Sequence, residues 1–243
     1  MENIIKGILI NSETRKITEV AFKNELAEYY RLLNCDTIDR VTVNGHDIVI
    51  DDEANLKNPK HFFAYKDSGL LAGNGLIVDA NEDGDWTSTT ATLAEVVAGT
   101  FFANANDDPN DYDAFYDRQR AESDNFPLGA AFSLEQFEDM KKKLNVTDKS
   151  ELIHIGYGAF IRKTDKDAFT ELMRRHDWEL DRFLEKKERF ISAVRSEMAN
   201  HEFIITYNLE EALDPLGLEI DKLTEEQREW CEIAKTQYLA ACK

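Results

Sequence analysis

Apolar-rich, β-branched runs at residues 3–11 and 16–22 are split by the polar residues 12–15, which predicts two strands joined by a turn. The pattern then changes. Leu26, Tyr29, Tyr30 and Leu33 recur at i, i+3, i+4 and i+7, so residues 23–34 read as an amphipathic helix. Two short β-type runs follow, 38–43 and 47–50, split by Asn44-Gly45. That dipeptide supplies the positive φ of a tight turn and predicts a hairpin. Residues 75–78 read as a further strand and 93–101 as a helix. The order β-β-α-β-β-β-α predicts a small α+β module over residues 1–103.

Residues 104–127 break the pattern. Asp108 is a good N-cap and Pro109 a good first helical residue, and Tyr112, Phe115 and Tyr116 then share one side at i, i+3 and i+4. The prediction is a short connector helix backed by aromatics, with its carboxylates outward.

Residues 128–243 read as a second, helix-rich module. A capping box from Ser133 to Gln136 opens a helix to about Leu144, and residues 153–155 and 159–162 form strands around Gly156-Tyr157-Gly158. One long helix spans 165–200, its buried stripe running from Phe169 through Leu172, Phe183, Phe190 and Val194 to Met198. A strand at 202–207 follows, then a short helix capped by Asn208 that stops before Gly217, and a last helix from Thr224. The fold class is therefore α+β, with two small α+β modules joined by a short acidic helix.

Charge sharpens this picture. The chain has 48 acidic and 29 basic residues, a net charge of -19. Residues 79–124 carry twelve of the acids against only Arg118 and Arg120, so about half the imbalance lies in under a fifth of the chain. Such a block repels itself and disfavours direct binding to duplex DNA or an anionic membrane. Cys35, Cys231 and Cys242 form no CxxC, as expected in a reducing cytosol, and no run reaches a membrane span. The expected location is the cytoplasm.

The first hundred residues resemble an uncharacterised family encoded mainly by phages, plasmids and integrated elements. The likeness rests on Gly7-Ile-Leu-Ile, Ile17-Thr-Glu-Val20, Leu32-Leu33, Asp47-Ile-Val-Ile-Asp51 and Ala72-Gly-Asn-Gly-Leu-Ile-Val78, followed by Gly84-Asp85 and Ser88-Thr89-Thr90. Residues 128–222 resemble a second mobile-element module through Phe132-Ser-Leu-Glu-Gln-Phe137, Gly156-Tyr-Gly158 and Asn200-His-Glu202. Neither resemblance implies an activity or catalytic residues. What they imply is a setting among accessory genes, anti-defence genes included.

Candidate chemistry is sparse. Asp79, Asn81, Asp83 and Asp85, with Gly84 at the sixth position, match the first half of a calcium loop, but Thr90 stands where the bidentate glutamate belongs. A plain hairpin turned by Asp83-Gly84 is the competing reading. His201-Glu202 could act as an acid–base pair, or His201 could cap a helix C-terminus. His176 lies in the apolar stripe and reads as a core residue. Cys35 follows a helix end, where the dipole raises rather than lowers a thiol pKa. Phosphate loops, GxSxG and HExxH are absent from the sequence.

The leading expectation is a non-enzymatic acidic protein that binds a basic surface of a host protein or nucleoprotein complex, without touching nucleic acid itself. Asp107, Asp108, Asp111, Asp113 and Asp117 would carry the contact, with Glu122 and Asp124 in the same block. If residues 107–124 were wholly helical, their seven acids would fall one per roughly 4 Å, about half the phosphate density of a duplex, so the protein could imitate nucleic acid in an anti-CRISPR or anti-restriction role. The alternatives are an enzyme built on His201 and Glu202, and a homo-oligomer formed through the helix 165–200. No cofactor is expected beyond the calcium option.

Overall fold

A computed structural model describes residues 3–242. Its first strands, β1 (Ile4–Asn11) and β2 (Lys16–Lys23), pair antiparallel along their whole length, Ile4 opposite Lys23 and Asn11 opposite Lys16. Helix α1 (Leu26–Leu33) follows and ends on left-handed Asn34. Strands β3 (Ile38–Val43) and β4 (His46–Asp51) form the expected hairpin, with Asn44 and Gly45 both at positive φ. Next come β5 (His61–Tyr65) and β6 (Leu71–Ala72), neither of them evident in the sequence. After them come β7 (Gly75–Ala80), β8 (Trp86–Thr87), α2 (Leu93–Gly99) and β9 (Thr100–Asn104).

The main sheet has the order β2-β1-β7-β4-β3, with β8 pairing the end of β7. Its central strands are buried on both faces. Ile8, Ile48 and Ile77 join one cluster with α2, Phe63 and Phe102, while Ile5, Val49 and Val78 pack under α1 with Tyr29 and Leu33. Two-sided burial explains why 75–78 is an unbroken apolar run rather than an alternation. Phe63 crosses β7 so closely that a Cβ on Gly75 would stand 2.3 Å from its ring.

The helix expected to reach residue 101 stops at Gly99. Thr100, Phe101 and Phe102 instead pair with β5 in a second sheet, β6-β5-β9. Helix α3 (Tyr112–Asn125) leads to β10 (Leu128–Ala130) and α4 (Leu134–Lys143), then to β11 (Leu152–Gly156) and β12 (Ala159–Arg162). Ser133 caps α4, but the Gln136 side chain returns to the Phe132 amide, so only half of the expected box forms. The strands make a third sheet, β10-β12-β11.

The long helix 165–200 is two helices, α5 (Lys166–Leu184) and α6 (Lys187–Asn200), separated by Lys186 in an extended conformation. A continuous helix would have carried Lys187 into the apolar stripe, four residues after Phe183. Breaking there keeps residues 185–188 exposed. The strand expected at 202–207 is a helical turn, α7 (Phe203–Thr206), followed by α8 (Leu209–Leu213) and α9 (Glu225–Ala241). Among the described residues from 174 onward there is no strand for 202–207 to pair with, and a lone strand cannot satisfy its backbone.

The fold is α+β. Two compact units divide it differently from the three segments read in the sequence: residues 1–106 with 120–173, and 107–119 with 174–243. Helices α3 and α5 each contain a unit boundary. In the first unit, Asn125 at the end of α3 holds the Arg15 carbonyl and the Ile17 amide, at 2.7 and 2.9 Å. In the second, Tyr112 joins Phe183, Phe190, Val194, Met198 and Trp230 in an all-helical core.

Candidate functional site

The acidic segment opens with a turn rather than a helix. Asp108 accepts the Asn110 amide at 2.9 Å and its carbonyl accepts the Asp111 amide at 3.0 Å. The Asp111 carboxylate then accepts the Asp113 amide at 3.0 Å, so Asp111, not Asp108, caps α3 and Pro109 sits in the turn before it. Tyr112, the first helical residue, is almost fully buried. Its amide donates to Ser192 Oγ at 3.1 Å and its hydroxyl to Glu197 at 3.0 Å. Burial, and then the Glu197 charge, hold the Tyr112 phenol far above its usual pKa.

Asp107, Asp108, Asp111, Asp113 and Asp117 are all exposed. Three of them, Asp108, Asp111 and Asp113, gather on one cleft of about 450 Å³ in the second unit, closed by Ser196, Arg195 and Tyr238. Ser196 donates its hydroxyl to Asp113. Asp107 and Asp117 lie outside that cleft.

Two expectations for this block need correction. Glu122 is completely buried in the first unit, where it accepts the Phe102 amide at 3.2 Å, so it cannot meet a partner. Asp124 is exposed but belongs to the first unit. The phosphate-like repeat is also not reached. Asp113 and Asp117 stand one turn apart, about 6 Å, but exposed Arg120 takes the next position on that face.

A second acidic depression, unforeseen in the sequence, gathers Glu210, Glu211, Asp214, Glu219 and Asp221 around about 420 Å³. These acids come from α8, the turn Asp214–Leu216 and the turn Ile220–Lys222 with its preceding Glu219, and only their folding together reveals it.

The 79–85 segment is a hairpin turn. Asp79 uses one carboxylate oxygen on His46 (2.6 Å) and Thr89 (3.1 Å), the other on the amide and hydroxyl of Thr90, both at 2.8 Å. Asn81 Oδ1 takes the Asp85 amide at 2.8 Å. Two of the four side chains of the calcium reading, Asp79 and Asn81, are thus engaged within the hairpin, and among the described residues no three His, Cys, Asp or Glu side chains are grouped as metal ligands. Burial raises the Asp79 carboxyl pKa, but its hydrogen bonds to His46 and Thr90 together outweigh that and leave it lowered.

Beside this hairpin the first unit holds a groove of about 710 Å³, walled by Asn24, Tyr29, Arg40, Asp85 and Trp86. Its organising residue is buried Asp47, which accepts from Arg40 at 3.0 Å, Thr42 at 2.7 Å and Trp86 Nε1 at 3.2 Å. Tyr29 packs on the indole at 4.6 Å between ring centres. No sequence motif announced it, because Arg40, Asp47 and Trp86 come from three different strands.

His201 faces Glu197, at 3.5 Å, rather than Glu202. It also forms the C-cap of α6, with its amide bonded to the last carbonyls, while Glu202 begins the next turn in a left-handed conformation. The pair His201-Glu202 is thus adjacent only in sequence. Cys35 has a raised thiol pKa as expected, though the causes are burial and then the Asp51 charge rather than the helix end. His176 is buried, as its place in the stripe predicted.

Residues 111–235 match a family of unknown function (DUF7659), and residues 5–102 match a domain of unknown function (DUF3846). No curated protein and no solved structure matches the chain. Among the described residues, no helix is long and apolar enough to cross a membrane.

Proposed function

The chain belongs to that family of unknown function, DUF7659, and from this premise we propose that it is a non-enzymatic interaction protein whose segment 107–117 binds a basic surface of another protein. The observation that carries the reading is the convergence of Asp108, Asp111 and Asp113 on one cleft. Each of these carboxylates has one oxygen already fixed, by the Asn110 amide, the Asp113 amide and the Ser196 hydroxyl respectively. Fixed carboxylates lose little freedom on binding, which favours affinity. With three carboxylates against Arg195, the cleft keeps a net negative charge that steers a cationic partner and speeds its association.

The proposal needs matched charge and not a phosphate-like repeat. It places the protein in the cytoplasm. The likeness to mobile-element modules makes the basic groove of a host defence complex the first partner class to test.

The test compares two variants that each lose four charges. One carries Asp108→Asn, Asp111→Asn, Asp113→Asn and Asp117→Asn; asparagine caps a helix as well as aspartate does, so α3 is retained. The control carries Glu210→Gln, Glu211→Gln, Asp214→Asn and Glu219→Gln. With an arginine-rich peptide as probe, the first variant is expected to associate about tenfold more slowly at low salt, and the control to stay near wild type. Equal losses in the two variants would overturn the reading.

A further inference from the structure

We propose that the turn Phe203–Thr206 is an apolar anchor beside the acidic cleft, and that the partner segment it takes is an amphipathic basic helix. The inference rests on the basic-partner reading above and adds the partner's shape and second face.

Helix α7 is a single turn bracketed by two non-glycine residues in the left-handed region, Glu202 (φ 49°, ψ 41°) and Tyr207 (φ 49°, ψ 23°). Side chains with a Cβ enter that region at a steric cost, and such conformations persist where the surroundings enforce them, often at functional sites. Here they surround an unusual display. Phe203 is buried at 2% exposure, whereas Ile204, Ile205 and Tyr207 are 41%, 72% and 64% exposed. Two isoleucines and a tyrosine exposed within one short turn make an apolar plate of the kind that marks an interaction site.

Position supplies the identity of the occupant. Tyr238 lines the acidic cleft with Asp108, Asp111 and Asp113, and its ring also lies 6.1 Å from that of Phe203, the buried root of the plate. Phe203 in turn contacts Tyr207, at 5.7 Å. Apolar plate and acidic cleft therefore adjoin one aromatic residue within the second unit. A ligand covering both needs leucine-like side chains along one face and lysine or arginine beside them, which is the pattern of a basic amphipathic helix. A second copy of this chain fits poorly, because a symmetric contact would bring the same carboxylates together.

The two halves of the surface act on different rates. Charge governs association and its salt dependence, while buried apolar contact governs dissociation. The probes are a helical peptide with leucines on one face and lysines on the other, and a scrambled peptide of identical composition. The amphipathic peptide is expected to dissociate about tenfold more slowly from the wild-type protein than the scrambled one does. Ile204→Ser with Ile205→Ser should abolish that difference and leave association unchanged. Ile205→Asn, one exposed and uncharged substitution, gives the same readout should the double variant fold poorly. Equal dissociation of the two peptides from wild type would overturn the anchor while leaving the basic-partner reading standing. Association insensitive to salt and to the Asp108, Asp111, Asp113 and Asp117 replacements would overturn that reading and this one together. A dimer in light scattering that Ile205→Lys dissolves would assign the plate to self-association and overturn the proposal.

Discussion

Tyr112 Oη donates a 3.0 Å hydrogen bond to Glu197 Oε1, tying the first residue of α3 to a buried carboxylate of α6. The acidic turn before Tyr112 is thereby held against α6. Glu197 also accepts from Asn200 at 3.3 Å and faces His201.

Tyr112→Phe keeps the ring and deletes one donor from a buried carboxylate. It is expected to destabilise the protein by about 1–3 kcal/mol, measured by urea unfolding. Adding Glu197→Gln should recover part of that loss, with a coupling of about 1 kcal/mol in the double-mutant cycle. Additive effects would show that the hydrogen bond contributes nothing.

Asp79 makes the first unit sensitive to acid. Its carboxyl pKa is lowered on folding, so the unfolded chain binds the proton more readily. The resulting stability is complete above the unfolded pKa of about 3.9 and is lost as pH falls through the lower folded value. Urea midpoints for wild type and Asp79→Asn should therefore differ at neutral pH and converge in acid. A gap that persists undiminished at about pH 2 would contradict the assignment.

Removing the Asp47 carboxylate leaves Arg40, Thr42 and the Trp86 indole without their common acceptor. Asp47→Ala should cost roughly 2–3 kcal/mol, less than a fully buried ion pair because Arg40 is half exposed. The Trp86 indole N–H, identified by its loss in Trp86→Phe, should then exchange faster with solvent. Unchanged exchange would mean that Asp47 does not organise the groove.

The three thiols should react in order of burial. Cys242 is exposed, Cys35 is partly covered, and burial pushes the Cys231 thiol up to about 11. Iodoacetamide at about pH 8 is expected to label Cys242 first and Cys231 last, since thiolate is the reacting form. Urea should remove the distinction. Early labelling of Cys231 in the native protein would contradict its place in the core.

Local rules wrote much of this fold into the sequence. Apolar, β-branched runs split by a polar turn marked β1 and β2, Asn44-Gly45 marked the β3–β4 turn, and Thr224 marked the start of α9. In each case a short stretch of chain satisfies its own hydrogen bonds or shows its own apolar face, so no distant residue is needed. The acidity of 107–117 and its exposure were legible for the same reason: five aspartates in that stretch cannot all be buried without partners.

Tertiary structure decided what depends on distant neighbours. Phe203, Ile204 and Ile205 have the composition of a strand, yet with no strand to pair with they form a turn that displays two isoleucines. Glu122 looked like its acidic neighbours until the Phe102 amide, twenty residues away in sequence, gave its carboxylate a buried partner. His201 and Glu202 looked like a pair until helix geometry set His201 over Glu197. Charge, period and turn chemistry are properties of the local chain. Which carboxylate is buried, and which apolar side chain is left in water, depends on packing that no local stretch contains.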